Sequence, residues 1–322
     1  MKSDRDLPFN GADKSFAFVV ATKDRPVELR RLLGSLAVQI RPPESVVVVD
    51  GGRTTVQNLI QEFRHLPLQY LRCRPPSAAR QRNAGIKAVG SHVSLIGFLD
   101  DDVVLEPDAC RAVLEFWEKA PGNIGGTAFN QVNHPRLYAS WLKHLPLAER
   151  LGLYSREGGR ILPSGFQVML GYVPETTWVQ WLPTGASLWR REIFDEFQFD
   201  EWFEGYSYLE DLDFSYRVFK KYRLAVVADA RYYHCPAKGG RGSGFTFGKR
   251  EVIHRIYFVR KHAELSVWKC YLAFVLRVFI SVSLAFQERK ASYFSRILGN
   301  LVGFFQSITG RKSGLFMHRR PG

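Results

Sequence analysis

Three consecutive carboxylates constrain this chain more than any other feature. Asp100, Asp101 and Asp102 directly follow the mostly apolar segment 93–99, which predicts a buried strand. Adjacent carboxylates repel one another and lose hydration when buried, so a fold seldom places them at a strand end, where open α/β sheets bind ligands, without counter-charge. Asp100 and Asp102, two residues apart in an extended chain, are predicted to project the same way and to hold one hard cation. The alternative is a turn that caps a helix beginning near Pro107.

Strands and helices alternate along the first hundred residues. Apolar runs predict strands at 16–21, 45–49 and 68–71 before the one at 93–99, and leucines at helical spacing follow Pro26. This alternation predicts an α/β fold with a parallel sheet covered by helices on both faces. With 322 residues, 46% of them apolar, the chain suits one large domain, or one domain with an appendage. No GxGxxG motif follows the first strand, which argues against a dinucleotide-binding protein.

The net charge of +14 is concentrated at the carboxyl-terminal end of the sequence. Residues 238–322 contain sixteen lysine and arginine residues and three acidic ones, whereas the preceding residues are nearly neutral. This basic tail predicts contact with an anionic surface, and the neutral remainder argues against nucleic acid as a substrate. Segments 270–286 and 294–308 predict amphipathic helices. Neither has the 18 uncharged apolar residues typical of a transmembrane helix, so we expect both to lie in a membrane interface. The alternative is that these helices pack on the globular domain, and the glycine-rich segment 238–249 predicts a flexible loop.

Four landmarks, in their order and spacing, resemble family 2 glycosyltransferases with the GT-A fold, of the type that extends bacterial surface glycans. They are VVATKDRP with VVVVDGG, ARQRNAGI before FLDDDVVLEP, LPTGASLWRREIF, and LEDLDFSYRV followed by YYH. The resemblance covers roughly residues 16–234. It implies a mixed, mostly parallel sheet flanked by helices, with a C-terminal amphipathic helical appendage. Together with the basic charge and the amphipathic segments of the tail, it predicts a catalytic domain at residues 1–248 and a basic, membrane-associated tail at residues 249–322.

The resemblance assigns roles in donor binding to residues near the predicted strand ends. The implied nucleotide-sugar contacts are Thr22, Asp24, Arg25, Asp50, Arg82, Asn83, Asp100 and Asp101. The family usually shows a second acid after the position of Asp50, where this chain has Gly51. In the DXD motif of this family, acids contact the ribose and bind Mg²⁺ or Mn²⁺, and the implied metal ligands here are Asp102 and His234. A cation is useful there because it offsets the charge that accumulates on the departing nucleoside diphosphate.

The resemblance also assigns the acceptor side of the reaction. Glu210 and Asp211 match the ED motif, in which the aspartate removes a proton from the attacking hydroxyl. Asp211 is therefore the predicted catalytic base, with Asp213 as the alternative and Glu210 expected to orient the acceptor. Gly185 and Ala186 are expected to let the backbone approach the donor sugar. A purely structural alternative is that these acids complement the dipole at a helix N-terminus.

Together these residues predict an inverting, metal-dependent transfer of a sugar from a nucleotide-sugar donor to a glycan or lipid-linked acceptor. The expected process is bacterial cell-surface polysaccharide biosynthesis at the cytoplasmic face of the inner membrane. The expected partners are the donor, the acceptor and an anionic membrane surface, with no nucleic acid. The QxxRW signature of processive synthases is absent, which favours one sugar per encounter. Two alternatives remain at this point: a nucleotidyltransferase of related fold, and a non-catalytic membrane-bound scaffold.

Overall fold

The structure is a computed structural model that describes residues 15–134, 149, 151–204, 207–237, 243–288 and 291–309. The chain divides into two compact units. The first unit takes residues Met1–Ala139, Glu157–Arg160 and Gln167–Lys238, and the second takes Ser140–Arg156, Ile161–Phe166 and Gly239–Gly322.

The first unit is built on one mixed sheet, to which the described residues contribute nine strands. These are β1 (Phe16–Thr22), β2 (Ser45–Asp50), β3 (Leu68–Arg72), β4 (Leu95–Asp100), β5 (Val103–Leu105), β6 (Ile124–Gln131), β7 (Thr177–Val179), β8 (Ala186–Arg190) and β9 (Arg223–His234). Their order is β3-β2-β1-β4-β8-β6-β9-β5, and β7 also pairs with β9. The first four strands are parallel, as are β6 and β9, while β8 runs antiparallel to both of its neighbours.

Helices connect these strands in the alternation that the sequence predicts. They are α1 (Pro26–Ala37), α2 (Gln57–Glu62), α3 (Ala78–Ala88), α4 (Ala109–Lys119), α5 (Ile193–Glu196) and α6 (Glu210–Phe219). The sheet has a hydrophobic core on each face, because successive side chains of a strand point to opposite sides. In β1, Phe18 belongs to one core and Val19 to the other. The predicted α/β fold of GT-A type, with a mixed, mostly parallel sheet flanked by helices, is confirmed.

The strand register brings the polar ends of four parallel strands to one edge of the sheet. Thr22 at the end of β1 is paired with Asp50 at the end of β2, and Asp50 is paired with Arg72 at the end of β3. On the other side of β1, Ala21 is paired with Asp100. The residues that follow these strands therefore meet at the edge where open α/β sheets bind ligands.

The second unit contains three long helices, α7 (Gly244–Lys261), α8 (Val267–Glu288) and α9 (Ala291–Thr309). The predicted C-terminal amphipathic helical appendage is thus confirmed, and the domain boundary predicted at residue 248 falls inside α7. Among the described helices, none is both long enough and apolar enough to span a membrane. Residues 310–322 of the predicted tail lie outside the described residues.

The prediction of a flexible loop over residues 238–249 is wrong where the structure describes it, since residues 244–249 form the first turns of α7. Residues 238–242 lie outside the described residues. The Ser243 hydroxyl caps the helix by accepting a hydrogen bond from the backbone N–H of Thr246 at 3.2 Å. Gly248 serves helix packing, because a Cβ there would overlap the backbone oxygen of Arg296 in α9.

In the first unit, close approach of α3 to the sheet depends on Gly85. A Cβ at this position would overlap the side chain of Val19 in β1. We expect Gly85→Ala to lower the free energy of unfolding by about 1–3 kcal/mol, since a stiff β-branched side chain lies in the way. Urea-induced unfolding followed by circular dichroism measures this loss.

Gly34 is the matched control, because it also lies in a helix and a Cβ there would meet nothing within 4 Å. Gly34→Ala is expected to raise the free energy of unfolding by about 0.5–1 kcal/mol through helix propensity. Equal effects of the two substitutions would contradict the packing role of Gly85.

Candidate active site

The middle acid of the run, Asp101, is held inside the protein. Its carboxylate accepts hydrogen bonds from the Thr22 hydroxyl at 2.8 Å and from the Arg25 guanidinium at 2.9 Å, and only 3% of the residue is exposed. Burial raises the pKa of Asp101 to about 6, although Arg25 and Thr22 act in the opposite direction. Asp101 therefore fixes the predicted donor residues Thr22 and Arg25 against the end of β4.

The last acid of the run, Asp102, faces His234 at the end of β9. The imidazole Nε2 lies 3.3 Å from Asp102 Oδ1, and the Arg25 guanidinium lies 3.5 Å from Oδ2. Pairing of Val103 in β5 with His234 fixes this approach. Burial acts to raise the pKa of Asp102, but the hydrogen bond and charge of His234 outweigh it, so the pKa lies below its usual range. These contacts therefore stabilise the ionised form of the Asp102 carboxylate.

Asp102 and His234 fit a divalent cation as two ligands out of a larger set. Mg²⁺ is usually held by one or two carboxylates with substrate phosphates and water completing its shell, and Mn²⁺ also accepts imidazole nitrogen. Within the part of the chain that the structure describes, no group of three or more His, Cys, Asp or Glu side chains is placed to hold a metal. Asp102 and His234 are thus two protein groups that could take part in holding such a cation.

The first acid, Asp100, has a different partner. The chain turns at Asp101 and Asp102, so the expectation that Asp100 and Asp102 share an extended segment is wrong. Instead, Asp100 Oδ1 accepts a hydrogen bond from the Arg82 guanidinium of α3 at 3.0 Å. The backbone oxygen of Gly185 accepts from the Asp100 N–H at 2.8 Å, and a Cβ at Gly185 would lie 3.2 Å from Asp100 Oδ2. Gly185 therefore borders the acid run as predicted, whereas the side chain of Ala186 is buried in the hydrophobic core.

Arg82 connects the acid run with α6. The Nη1 atom of its guanidinium donates a hydrogen bond to Glu210 Oε1 at 2.6 Å, and only 5% of Arg82 is exposed. Burial raises the pKa of Glu210 to about 8 against the opposing effect of Arg82. Burial likewise raises the pKa of the next residue, Asp211, with Arg82 opposing and the charge of Asp100 adding to the rise. The structure thus brings together Asp100, Arg82, Glu210 and Asp211, which are far apart in sequence.

The two candidate bases on α6 differ in accessibility. Asp213 is fully buried, and its Oδ2 accepts a hydrogen bond from Arg217 Nε at 3.0 Å. Asp211 is partly exposed. Of the two carboxylates, Asp211 is therefore the one that an acceptor hydroxyl can reach.

The residue before α6, Leu209, has a φ of 76°. This backbone conformation is strained for a residue with a bulky side chain, and strained residues of this kind cluster at functional sites.

Asp50 lies at the end of β2, where it is fully buried and engaged by the protein itself. Its carboxylate accepts hydrogen bonds from the backbone N–H groups of Gly52 and Val56, the Tyr70 hydroxyl and the Arg72 guanidinium, at 2.6, 3.2, 2.8 and 2.6 Å. Arg72 is partly exposed beside it. Sequence reasoning missed Tyr70 and Arg72, although an arginine at the end of a strand next to Asp50 was an available signal.

Asp24 and Asn83, which are also predicted to bind the nucleotide-sugar donor, contact other parts of the chain than Asp100 and Arg82 do. Asp24 accepts a hydrogen bond from the backbone N–H of Arg53 at 2.6 Å, which ties the loop after β1 to the loop after β2. Asn83 is buried. Its Nδ2 donates to the backbone oxygen of Phe199 and to Glu201, and its Oδ1 accepts from the backbone N–H of Phe199. Asn83 therefore anchors the chain ahead of α6, and its contacts give no sign of a direct role toward a donor.

Comparison with known proteins bears on the family and on the fold. Residues 17–169 match the sequence model of a family described as "Glycosyl transferase family 2". Two of the four landmarks lie within that segment, and the resemblance to family 2 predicted from the motifs is confirmed. No curated protein matches the sequence.

Several solved structures share the fold at low sequence identity. S. aureus TarS 1-349 in complex with UDP-GlcNAc matches with a TM-score of 0.56 and 18% identity over 94% of this chain and 84% of that chain. Mannosyltransferase PcManGT from Pyrobaculum calidifontis, in complex with GDP-Man and Mn²⁺, matches with a TM-score of 0.54 and 12% identity over 92% and 88%. GalNAc-T7 with UDP, GalNAc and Mn²⁺ matches with a TM-score of 0.52 and 13% identity over 70% and 44%. The match to the longer TarS structure covers 43% of that chain. These likenesses establish the GT-A fold.

The central position of Arg82 predicts a large loss of stability on its removal. We expect Arg82→Gln to lower the free energy of unfolding by about 3 kcal/mol, because it leaves the buried Glu210 carboxylate without its counter-charge. The loss should be greater at about pH 8.5 than at about pH 6, since Glu210 has a raised pKa and is protonated at the lower pH. Urea-induced unfolding at both pH values measures it.

Arg80 provides the control on the same helix. It pairs with Glu201 at 3.2 Å, where both side chains are open to solvent in part, so Arg80→Gln should cost less than about 1 kcal/mol at either pH. A similar loss for both arginine variants would show that the bridge through Arg82 does not carry the stability of the site.

Proposed function

We propose that this protein is an inverting, metal-dependent glycosyltransferase that transfers one sugar per encounter from a nucleotide-sugar donor to a hydroxyl of a glycan or lipid-linked acceptor. The observation that carries this proposal is the bridge through Arg82, which bonds Asp100 at the end of β4 and Glu210 beside Asp211. The bridge puts the acid run and the candidate base in one network. A fold related to complexes of UDP-GlcNAc and GDP-Man supports the donor class.

Donor binding falls to the residues that follow the parallel strands. Thr22 and Arg25 lie against the acid run, and Asp24 joins the loops after β1 and β2. Asp50 is enclosed by its partners, so it acts by fixing Arg72 at the edge where a nucleoside would lie. Asp100 and Gly185 border the position of the donor sugar.

Asp102 and His234 would hold Mg²⁺ or Mn²⁺. Such a cation supplies charge stabilisation to the departing nucleoside diphosphate. To ligate the cation, Asp102 would be an ionised carboxylate and His234 a neutral imidazole. The printed descriptions of PcManGT and GalNAc-T7, which include Mn²⁺, support this assignment.

Asp211 would accept the proton of the acceptor hydroxyl as the new glycosidic bond forms. Attack on the anomeric carbon from the side opposite the leaving group inverts its configuration and needs no covalent intermediate. The raised pKa of Asp211 brings the carboxylate closer to the working pH, where proton transfer is most efficient. Glu210, held by Arg82, keeps the first turn of α6 in place.

The second unit supports a peripheral position at the cytoplasmic face of a bacterial inner membrane. Sixteen basic residues against three acidic ones in residues 238–322 favour an anionic surface, and α9 carries apolar side chains exposed along one side. The acceptor would then be a cell-surface polysaccharide precursor made at that membrane.

The function is tested with a panel of nucleotide sugars in the presence of Mn²⁺. We expect release of nucleoside diphosphate from at least one donor, and Asp211→Asn should reduce this rate by about 10²–10⁴-fold while the donor affinity stays within about threefold. Isothermal titration gives the affinity, and coupled assay of the nucleoside diphosphate gives the rate. No release from any donor would favour the non-catalytic scaffold.

Asp213→Asn is the matched control, two residues further along α6. Its carboxylate is buried against Arg217, so we expect lower stability but a turnover rate within about tenfold of the natural protein. A full loss of turnover in Asp213→Asn together with an active Asp211→Asn would reverse the assignment.

The natural protein should lose kcat/KM as pH falls through the raised pKa of Asp211, because the base must be ionised.

The metal assignment is tested by Mn²⁺ binding in the presence of UDP and, separately, GDP. Asp102→Asn should weaken Mn²⁺ binding at least about tenfold, because it removes an ionised oxygen ligand. Asp108→Asn is the control, since this nearby acid is exposed and pairs with Arg111. Unchanged Mn²⁺ affinity in Asp102→Asn would remove Asp102 from the metal site.

A further inference from the structure

The second unit contains an apolar cavity that the proposed sugar transfer does not use. It has a volume of about 220 Å³ and lies among α7, α8 and α9. Its walls include Val252, Phe274, Val275, Val278, Leu301 and Phe304. For comparison, an engineered cavity of about 150 Å³ with apolar walls binds benzene. The space is therefore large enough for a hydrocarbon group.

One polar residue, Asn300, also lines this cavity, but its amide is engaged elsewhere. Asn300 Nδ2 donates to the backbone oxygen of Gly248 at 3.0 Å and to Glu251 Oε2 at 3.3 Å, both in α7. Glu251 in turn pairs with Arg296 at 2.8 Å. A polar ligand would lose its hydration against these walls without recovering hydrogen bonds, whereas a hydrocarbon gains by leaving water.

The cavity reaches the surface on the apolar side of α9. Two of its lining residues are strongly exposed, Val275 at 45% and Leu301 at 52%. The same side of α9 continues as a stripe of exposed apolar residues at helical spacing: Phe294, Leu298, Leu301, Phe305 and Ile308. A stripe of this kind is typical of a helix that lies in a membrane interface.

Positive charge accompanies the stripe. The exposed guanidinium of Arg260 donates to the backbone oxygen of Ser307, next to Ile308 at the end of the stripe. Basic residues beside an apolar helix face attract anionic lipid headgroups. The occupant that matches both the apolar walls and this charge is an anionic membrane lipid.

We propose that this cavity binds the end of one acyl chain of an anionic membrane lipid. This inference rests on the membrane position proposed above for the second unit, and the bound chain would add an anchored lipid to that contact. This site is separate from the chemistry of Asp211, and its test does not use sugar transfer.

The test uses the fluorescent fatty acid cis-parinaric acid as a probe of the whole protein, without vesicles. We expect one equivalent to bind, and Val275→Trp to weaken binding at least about tenfold, because the larger side chain closes the mouth of the cavity. Val275 is exposed, so the variant should fold, and circular dichroism checks this. Val38→Trp is the matched control, because Val38 is also an exposed valine but lies in the first unit, and we expect no effect on binding.

The headgroup is tested with dihexanoyl phosphatidylglycerol and dihexanoyl phosphatidylcholine, each below its micellar concentration. Their chains are identical, so we expect the anionic lipid to displace the probe at a concentration several-fold lower. Failure of the natural protein to bind the probe, or equal binding by Val275→Trp, would overturn the cavity as a lipid site. Equal displacement by the two lipids would overturn the preference for an anionic lipid. A second variant, Val252→Phe, fills the cavity from α7 and should weaken binding as Val275→Trp does.

Discussion

Each of the three neighbouring carboxylates after β4 has its own cationic or protonatable partner. Asp100 bonds Arg82, Asp101 bonds Arg25, and Asp102 faces His234. The partners come from α3, from the loop after β1 and from the end of β9. Because the acids would otherwise repel one another at a buried strand end, the fold tolerates the run only when all three of these elements are in place. The acid run thus ties distant parts of the first unit to one edge of the sheet.

Arg82 extends this arrangement to α6. A buried guanidinium costs several kcal/mol in lost hydration unless its hydrogen bonds are well made, and here it has a carboxylate on each side. Its position depends in turn on Gly85, one turn further along α3, which lets the helix approach Val19 closely. A packing requirement in the core is therefore linked to the geometry of the site.

The sequence alone was sufficient for the alternation of strands and helices, which follows from periodicity. The resemblance to family 2 glycosyltransferases was sufficient for grouping the acid run with Glu210 and Asp211. The sequence alone did not predict which residue pairs with each acid of the run. Whether the chain stays extended after Asp100 or turns is decided by tertiary contacts, and the turn separates the contacts of Asp100 from those of Asp102. Likewise, glycine content suggested a loop where Gly248 in fact allows α7 and α9 to pack closely. Local composition cannot distinguish these two uses of glycine.

The environments of Asp102 and Asp211 shift the pKa values of these two acids in opposite directions. On one side, His234 lowers the pKa of Asp102, so this acid stays ionised and suits a cation. On the other side, burial raises the pKa of Asp211, so this acid takes up a proton more readily than an exposed aspartate does. Sites whose acids are pushed apart in this way divide the work between them, one acid handling charge and the other handling protons. Transfer of a sugar from a diphosphate to a hydroxyl needs both, since negative charge builds up at the leaving group while a proton leaves the acceptor.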